Sequence, residues 1–173
     1  MRMGFGKIIL AILNFICKVY LTVIRGTPVV VQILIIYFIV FQSSNAQIPI
    51  AALAFGINSG AYVAEIFRSG IMSIDIGQNE AGRSLGFNYA QTMIYIIVPQ
   101  AFKNVIPTLG NEFIVLLKET AVCGYIGLMD LTRAGDSVRA ATYNPYFPLI
   151  FIAVIYLVMV MFFTWLLGKL ERR

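Results

Sequence analysis

The stretch from Pro148 to Leu167 carries no charged side chain and almost no polar one. A helix of about 20 residues is about 30 Å long, the depth of a bilayer's hydrocarbon core. Backbone in lipid must satisfy its own hydrogen bonds, so such a segment crosses as a helix. Composition points the same way. Of 173 residues, 60% are hydrophobic and 12% charged, where soluble domains carry roughly 25% charged residues. A chain this short has too small an interior to hide that much apolar surface. The expected fold class is an all-α polytopic membrane protein with membrane lipid as its main solvent.

Three further segments can cross. Thr27 to Phe41 is apolar apart from Gln32 and short for a span; Pro28 suits its first turn, where a missing N–H does no harm. Ile48 to Phe67 is long enough but carries Asn58, Ser59, Tyr62 and Glu65. Phe102 to Leu117 is interrupted by Pro107 and holds Glu112. Four spans are expected in all. No linker, charge block or repeat divides the chain, so residues 1–173 are expected to form one transmembrane domain. Residues 1–18 have the basic start and apolar stretch of a signal peptide, but no small-residue cleavage site, and Lys18 follows. They are expected to form an amphipathic helix on the membrane surface.

The net charge of +5 raises the question of nucleic acid, but in a membrane chain the position of each charge matters more. Arg2, Lys7, Lys18 and Arg25 precede the first span. Arg68, Arg83 and Lys103 lie between the second and third, and Lys169, Arg172 and Arg173 follow the fourth. Only Lys118, Arg133 and Arg139 fall on the other side. The positive-inside rule then places both termini in the cytoplasm of a multi-pass cell-membrane protein. Cys17 and Cys123 have no metal spacing and read as small apolar residues. There is no histidine, which removes the commonest general base.

The cytoplasmic loop from Ser69 to Lys103 has structure of its own. Asp75 with Gln78, and Asn88 with Gln91, fit a relaxed capping-box pattern, and Gly86 falls between them. Two short helices are expected, from about Ile76 to Leu85 and from about Tyr89 to Val98. Pro99 would stop the second. A helical hairpin of this kind suits the docking of a partner.

The hairpin reads Glu80-Ala81-Gly82-Arg83-Ser84-Leu85-Gly86, then nine residues, then Ile96-Ile97-Val98-Pro99. This resembles the EAA loop of ABC importer permeases, Glu-Ala-Ala, three residues, Gly, nine residues, Ile-x-Leu-Pro. Gly82 replaces the second Ala and Val98 the Leu. Arg25-Gly26-Thr27-Pro28 with Gln32 is similar to the RGTP-x3-Q signature of the histidine, glutamine, glutamate and arginine type. Asn58 to Arg68, Pro99-Gln100-Ala101, Asn111-Glu112 and Lys118-Glu119-Thr120 continue that resemblance. It implies the type I, EAA-loop permease fold. It also implies five spans where this chain has room for four, so the sequence is expected to lack the first.

The resemblance implies partners too. With no G-x4-G-K-[ST] phosphate loop, ATP chemistry is expected in a separate ATP-binding subunit. That subunit would be held through Glu80, Ala81, Gly82, Gly86, Ile96 and Pro99. Gly86 would permit the sharp turn, and Ala81 and Gly82 would let backbones come close. An extracytoplasmic substrate-binding protein and a second permease, identical or related, complete the set. No cofactor is implied.

For a polar substrate path, Asn58, Tyr62 and Glu65 share one helix face, with Ser59 beside them. A buried ionisable residue in a span is costly and usually functional, although Glu65 can also simply pair with Arg68. Glu112 and Glu119, seven apart, share a face. Lys118 and Glu119 offer a cation and an anion to a zwitterionic amino acid, with Thr120 as a neutral donor; alternatively Lys118 pairs with Glu112 or Glu119. The segment from Asp130 to Asn144 would form a short outward-facing helix or a solvated loop. The leading expectation is a permease for polar amino acids. Other small-solute permeases, a non-transporting remnant and a channel-like subunit are the alternatives. An intramembrane enzyme lacks support, with no Ser/Lys pair placed in one span.

Overall fold

The computed structural model describes residues 5–44 and 46–171. Nearly all of these are helical, and no strand occurs among them. They divide into two compact units, Met1–Ala61 with Tyr125–Leu128, and Tyr62–Gly124 with Met129–Arg173.

In the first unit, α1 (Phe5–Gly26) is one unbroken helix of 22 residues. The expected surface helix does not end at Lys18, because nothing in the following residues breaks a helix until Gly26 and Pro28. It is long and apolar enough to cross a membrane. Its charged residues and its asparagine are nevertheless confined: Lys7, Asn14, Lys18 and Arg25 lie within about 20° of one line along the helix. After the break at Thr27 and Pro28 comes α2 (Val29–Ile35), which widens into a π-helical turn, Ile36–Val40. The apolar helix here is therefore Val29–Val40, shorter still than the expected Thr27–Phe41. Next, α3 (Gln47–Met72) is long and apolar enough to span and contributes to both units. At its start the Gln47 side chain donates to the Ile126 carbonyl at 3.2 Å. The core of this unit is Ile33, Ile50, Ala51, Ala54 and Ala61, with two buried polar groups, Gln32 and Asn58.

In the second unit, α4 (Ile76–Ser84) begins at Asp75, whose carboxylate accepts from the Gly77 N–H at 2.7 Å. A tight turn follows, with Gly86 at φ +81°. Then α5 (Tyr89–Thr92) opens on a reciprocal capping box between Asn88 and Gln91, both bonds 2.9 Å. Pro99 does not stop this helix as expected. The chain passes through a π-helical turn, Met93–Ile97, and continues as α6 (Val98–Glu119). Pro99 sits in the first turn of α6, where a missing N–H is tolerated. Nor does Pro107 interrupt α6, which runs unbroken through it from Val98 to Glu119, 22 residues in all. Beside the proline, the Thr108 hydroxyl donates back to the Asn104 carbonyl at 3.1 Å.

A 3₁₀ segment, Thr120–Ile126, leads to α7 (Leu131–Thr142), capped by Asp130, whose Oδ1 accepts from the Arg133 N–H at 2.7 Å. The segment from Asp130 is thus helical, with an Arg139–Asp136 ion pair at 3.1 Å on its surface. Finally α8 (Tyr146–Glu171) is apolar on every side, and its span-length window buries nothing within the chain. It packs on α6 where Gly110 meets Leu167 and Phe113 meets Phe163 edge-on at 5.4 Å. A helix hydrophobic all round belongs in a membrane or a large core. Phe151, Leu157, Met161 and Trp165, each more than half exposed, belong against lipid or a second subunit.

Candidate coupling and translocation sites

The signature Arg25, Gly26, Thr27, Pro28 and Gln32 forms the break between α1 and α2. Pro28 has no N–H to give the Ile24 carbonyl four residues back. Gln32 supplies the missing donor: its side-chain amide donates to the Ile24 carbonyl at 2.7 Å and the Thr27 carbonyl at 3.0 Å, with the Thr27 hydroxyl at 2.6 Å. Thr27 donates in turn to the Val23 carbonyl at 2.8 Å. The spacing of the glutamine from the proline is thus the spacing needed to mend the backbone, with Arg25 in the last turn of α1.

Asn58, the first member of the expected polar face, is buried and donates to Gln32 Oε1 at 2.9 Å. It acts as a brace for the signature. Its own Oδ1 has no hydrogen-bond partner among the described residues. Ser59 and Tyr62 are half-buried. Glu65 is held by Arg68 one turn on, whose Nε lies 3.0 Å from both carboxylate oxygens. The structure therefore favours the ion-pair reading of Glu65.

Glu112, Lys118 and Glu119 sit in the second half of α6. Glu112 and Glu119 are half-buried, and Lys118 and Thr120 exposed. The Thr120 hydroxyl donates to the Leu117 carbonyl at 2.7 Å, which turns the chain into the 3₁₀ segment. A cation, an anion and a hydroxyl are thus adjacent in one turn.

On the hairpin, Glu80, Ala81 and Gly86 are exposed, Gly82 is buried, Ile96 half-buried and Pro99 exposed. Gly82 lies against Thr92: a Cβ at Gly82 would come within 2.6 Å of Thr92 Cγ2 and 2.7 Å of its Oγ1. The small residue here serves the hairpin's own closure, where a close approach to a partner had been expected of it. Gly86 provides the sharp turn as expected, and the Phe87 N–H returns to the Gly82 carbonyl at 3.1 Å. Ile76 and Leu85 stand 79% and 71% exposed on the two ends of α4, apolar surface offered outward next to Glu80.

The family model described as the binding-protein-dependent transport system inner membrane component matches residues 6–173. The chain belongs to this family. It is 44% identical over 162 residues to the arginine transport system permease protein ArtQ of Bacillus subtilis, covering 92% of this chain and 74% of that one. It is 38% identical over 166 residues to the glutamine transport system permease protein GlnP of Escherichia coli K12, covering 94% and 76%. The crystal structure of an amino acid ABC transporter with histidines superposes with a TM-score of 0.83 at 50% identity, over 90% of this chain and 74% of that one. An inward-facing structure of the MetNI methionine ABC transporter superposes at 0.76 and 18% identity, over 95% and 77%, and shares the fold. The permease is thus a multi-pass inner-membrane component with the fold of ABC importer permeases, and it is a transport subunit, not an enzyme.

Three contacts in this permease escaped sequence reasoning. Gln78, whose spacing suggests a capping partner for Asp75, instead accepts from Gln100 Nε2 at 3.1 Å. Ser73 Oγ accepts from Asn104 Nδ2 at 2.9 Å. Thr92, fully buried, lies against Gly82. One signal was available: Gln100 and Asn104 are polar residues one helical turn apart beside small, apolar Ala101.

Proposed function

We propose that the chain is the membrane-spanning permease subunit of an ATP-driven importer for polar amino acids. The observation that carries this reading is 50% identity, at TM-score 0.83, with an amino acid ABC transporter. The arginine and glutamine permease relatives favour the same substrate class. Four elements cross the membrane: α2 with its π turn, α3, α6 and α8. The stripe of Lys7, Asn14, Lys18 and Arg25 runs nearly the length of α1, as in helices that lie in the interface plane, so α1 rests on the membrane surface. Both termini of the chain are then cytoplasmic, with the α4–α5 hairpin on the same side, and α7 faces outward, where a substrate-binding protein docks.

The ATP-binding subunit docks on α4 through Glu80, Ala81 and the exposed ends of the helix. Gly82, Gly86, Ile96 and Pro99 hold the hairpin in shape. Two copies of this chain, or this chain and a related permease, enclose the path in one domain each. Along it, Lys118 receives the substrate carboxylate, Glu119 and Glu112 its ammonium, and Thr120 adds a neutral donor. Ser59 and Tyr62 line the path on α3, Asn58 braces α3 against Gln32, and Glu65 stays paired with Arg68.

The deciding experiment is co-purification from detergent after co-expression with the candidate ATP-binding subunit. Capture of that subunit, lost when Glu80 and Gly86 are replaced together, supports the reading. A folded chain in the membrane that captures no ATPase refutes it.

A further inference from the structure

The end of α3 and the hairpin are each fastened to α6 by residues outside the EAA pattern. At the first level Gly70, at the end of α3, is pressed on Val105, with the Ala101 carbonyl 3.6 Å from where a Cβ would sit. Next to that contact the Asn104 side chain donates to Ser73. At the second level the Gln100 amide donates to Gln78 on α4 and, at 2.8 Å, to the Ile96 carbonyl of its own π turn. Further along α4, one turn past Gln78, Gly82 rests on Thr92. So α4 touches one continuous helical run twice, at Thr92 and at Gln100.

These two positions are eight residues apart. In a regular α-helix they would be about 80° out of phase. A π turn inserts one extra residue into the helix. With Met93–Ile97 wound that way, the mismatch falls to about 20°, and both positions face α4. The π turn therefore sets the register that lets α4 lie along α6.

We propose that Gln100 is a positioning residue for energy coupling: through Gln78 and the Ile96 carbonyl it makes α4 and the base of α6 move as one body. This rests on the importer reading above. A push on α4 then reaches Glu112 and Lys118 through α6, without slack at the loop. Without Gln100 the hairpin still forms, because Asp75, the Asn88–Gln91 box and the Gly82–Thr92 contact remain, but its displacement is no longer handed on.

The test uses the permease assembled with its ATP-binding subunit in proteoliposomes, with radiolabelled arginine, glutamine and histidine as separate probes. Gln100→Leu and Gln78→Leu are each expected to capture the ATPase in wild-type amounts. Amino acid moved per ATP hydrolysed falls on the order of tenfold, the size of a typical coupling between sites. The double variant Gln78→Glu/Gln100→Lys, in which an ammonium donates to a carboxylate, restores the ratio. Wild-type stoichiometry in either leucine variant overturns the proposal, as does parallel loss of ATPase capture and transport in both with no rescue by the double variant. Absence of ATPase capture by the wild-type chain refutes the importer reading itself.

Discussion

Asn58 Nδ2 lies 2.9 Å from Gln32 Oε1, joining two fully or nearly buried polar side chains across α2 and α3. Each depends on the other, since a buried donor or acceptor left unsatisfied costs about 1–3 kcal/mol. Asn58→Leu and Gln32→Leu should each lower stability by that amount in detergent unfolding. Gln32→Leu should be the worse, because it also strips the Ile24 and Thr27 carbonyls of their donor. The double variant should cost clearly less than the sum; simple additivity would show that the pair does not interact.

Gly82 and Thr92 make a second test. Thr92 is β-branched, fully buried and stiff, so Gly82→Ala forces one of them to shift. Overpacking of this kind costs about 1–3 kcal/mol. Trypsin cutting at Arg83 should speed up in Gly82→Ala and return to wild type in Gly82→Ala/Thr92→Ala. Thr92 Oγ1 has no hydrogen-bond partner among the described residues, so Thr92→Val should be neutral or stabilising in the same assay.

Gly86 adopts φ +81°. A left-handed conformation costs an ordinary residue about 1–2 kcal/mol, and asparagine is the residue that bears it best. ATPase capture should therefore fall in the order Gly86, Asn, Ala, Val. A valine variant that captures as well as wild type would show that the turn is not needed.

At the substrate path, Lys118→Ala should reduce uptake at least tenfold while leaving ATPase capture intact, since a charge-assisted hydrogen bond contributes about 1.5–3 kcal/mol. Unchanged uptake would remove Lys118 from the path.

Cys123 lies in the 3₁₀ segment after α6, buried, with the Asp130 carboxylate nearby. Burial first and that carboxylate second push its thiol above the usual range. The thiolate is the reactive form, so a raised value means less thiolate near neutral pH. In a Cys17→Ser background, maleimide labelling should be slow and should keep rising past about pH 8.5, the ordinary thiol value. A rate that levels off at or below that pH would contradict the burial.

Much of this was legible from local pattern. Asp75, Asn88 and Gly86 announce the hairpin because caps and left-handed turns depend on neighbours in sequence. The apolar run in α8 needs no partner to be read. Proline misled in two places. Pro99 and Pro107 both look like breaks, yet Pro99 falls in a first turn and Pro107 is absorbed within α6. The π turn at Met93–Ile97 has no local signature, since Met, Ile and Tyr fit any helix. What it achieves, the facing of Gln100 to Gln78, joins residues 22 apart and leaves no trace in the local pattern. For the same reason the Asn58, Tyr62 and Glu65 stripe is visible as geometry and Arg68 as the neighbour of Glu65, while Gln32, the partner of Asn58 26 residues away, is not.

The mended break at Pro28 bears on how the chain enters the membrane during synthesis. A segment as short as Val29–Val40 has little drive to leave an aqueous channel for lipid alone, and an unsatisfied glutamine would hold it back. The Gln32 amide, however, finds carbonyl acceptors at Ile24 and Thr27, residues already made when it emerges. The donor side of the amide is met before any later helix exists, and its Oε1 is left for Asn58. Asn58 arrives afterwards and locks an arrangement already in place, so the order of translation matches the order in which these hydrogen bonds are needed.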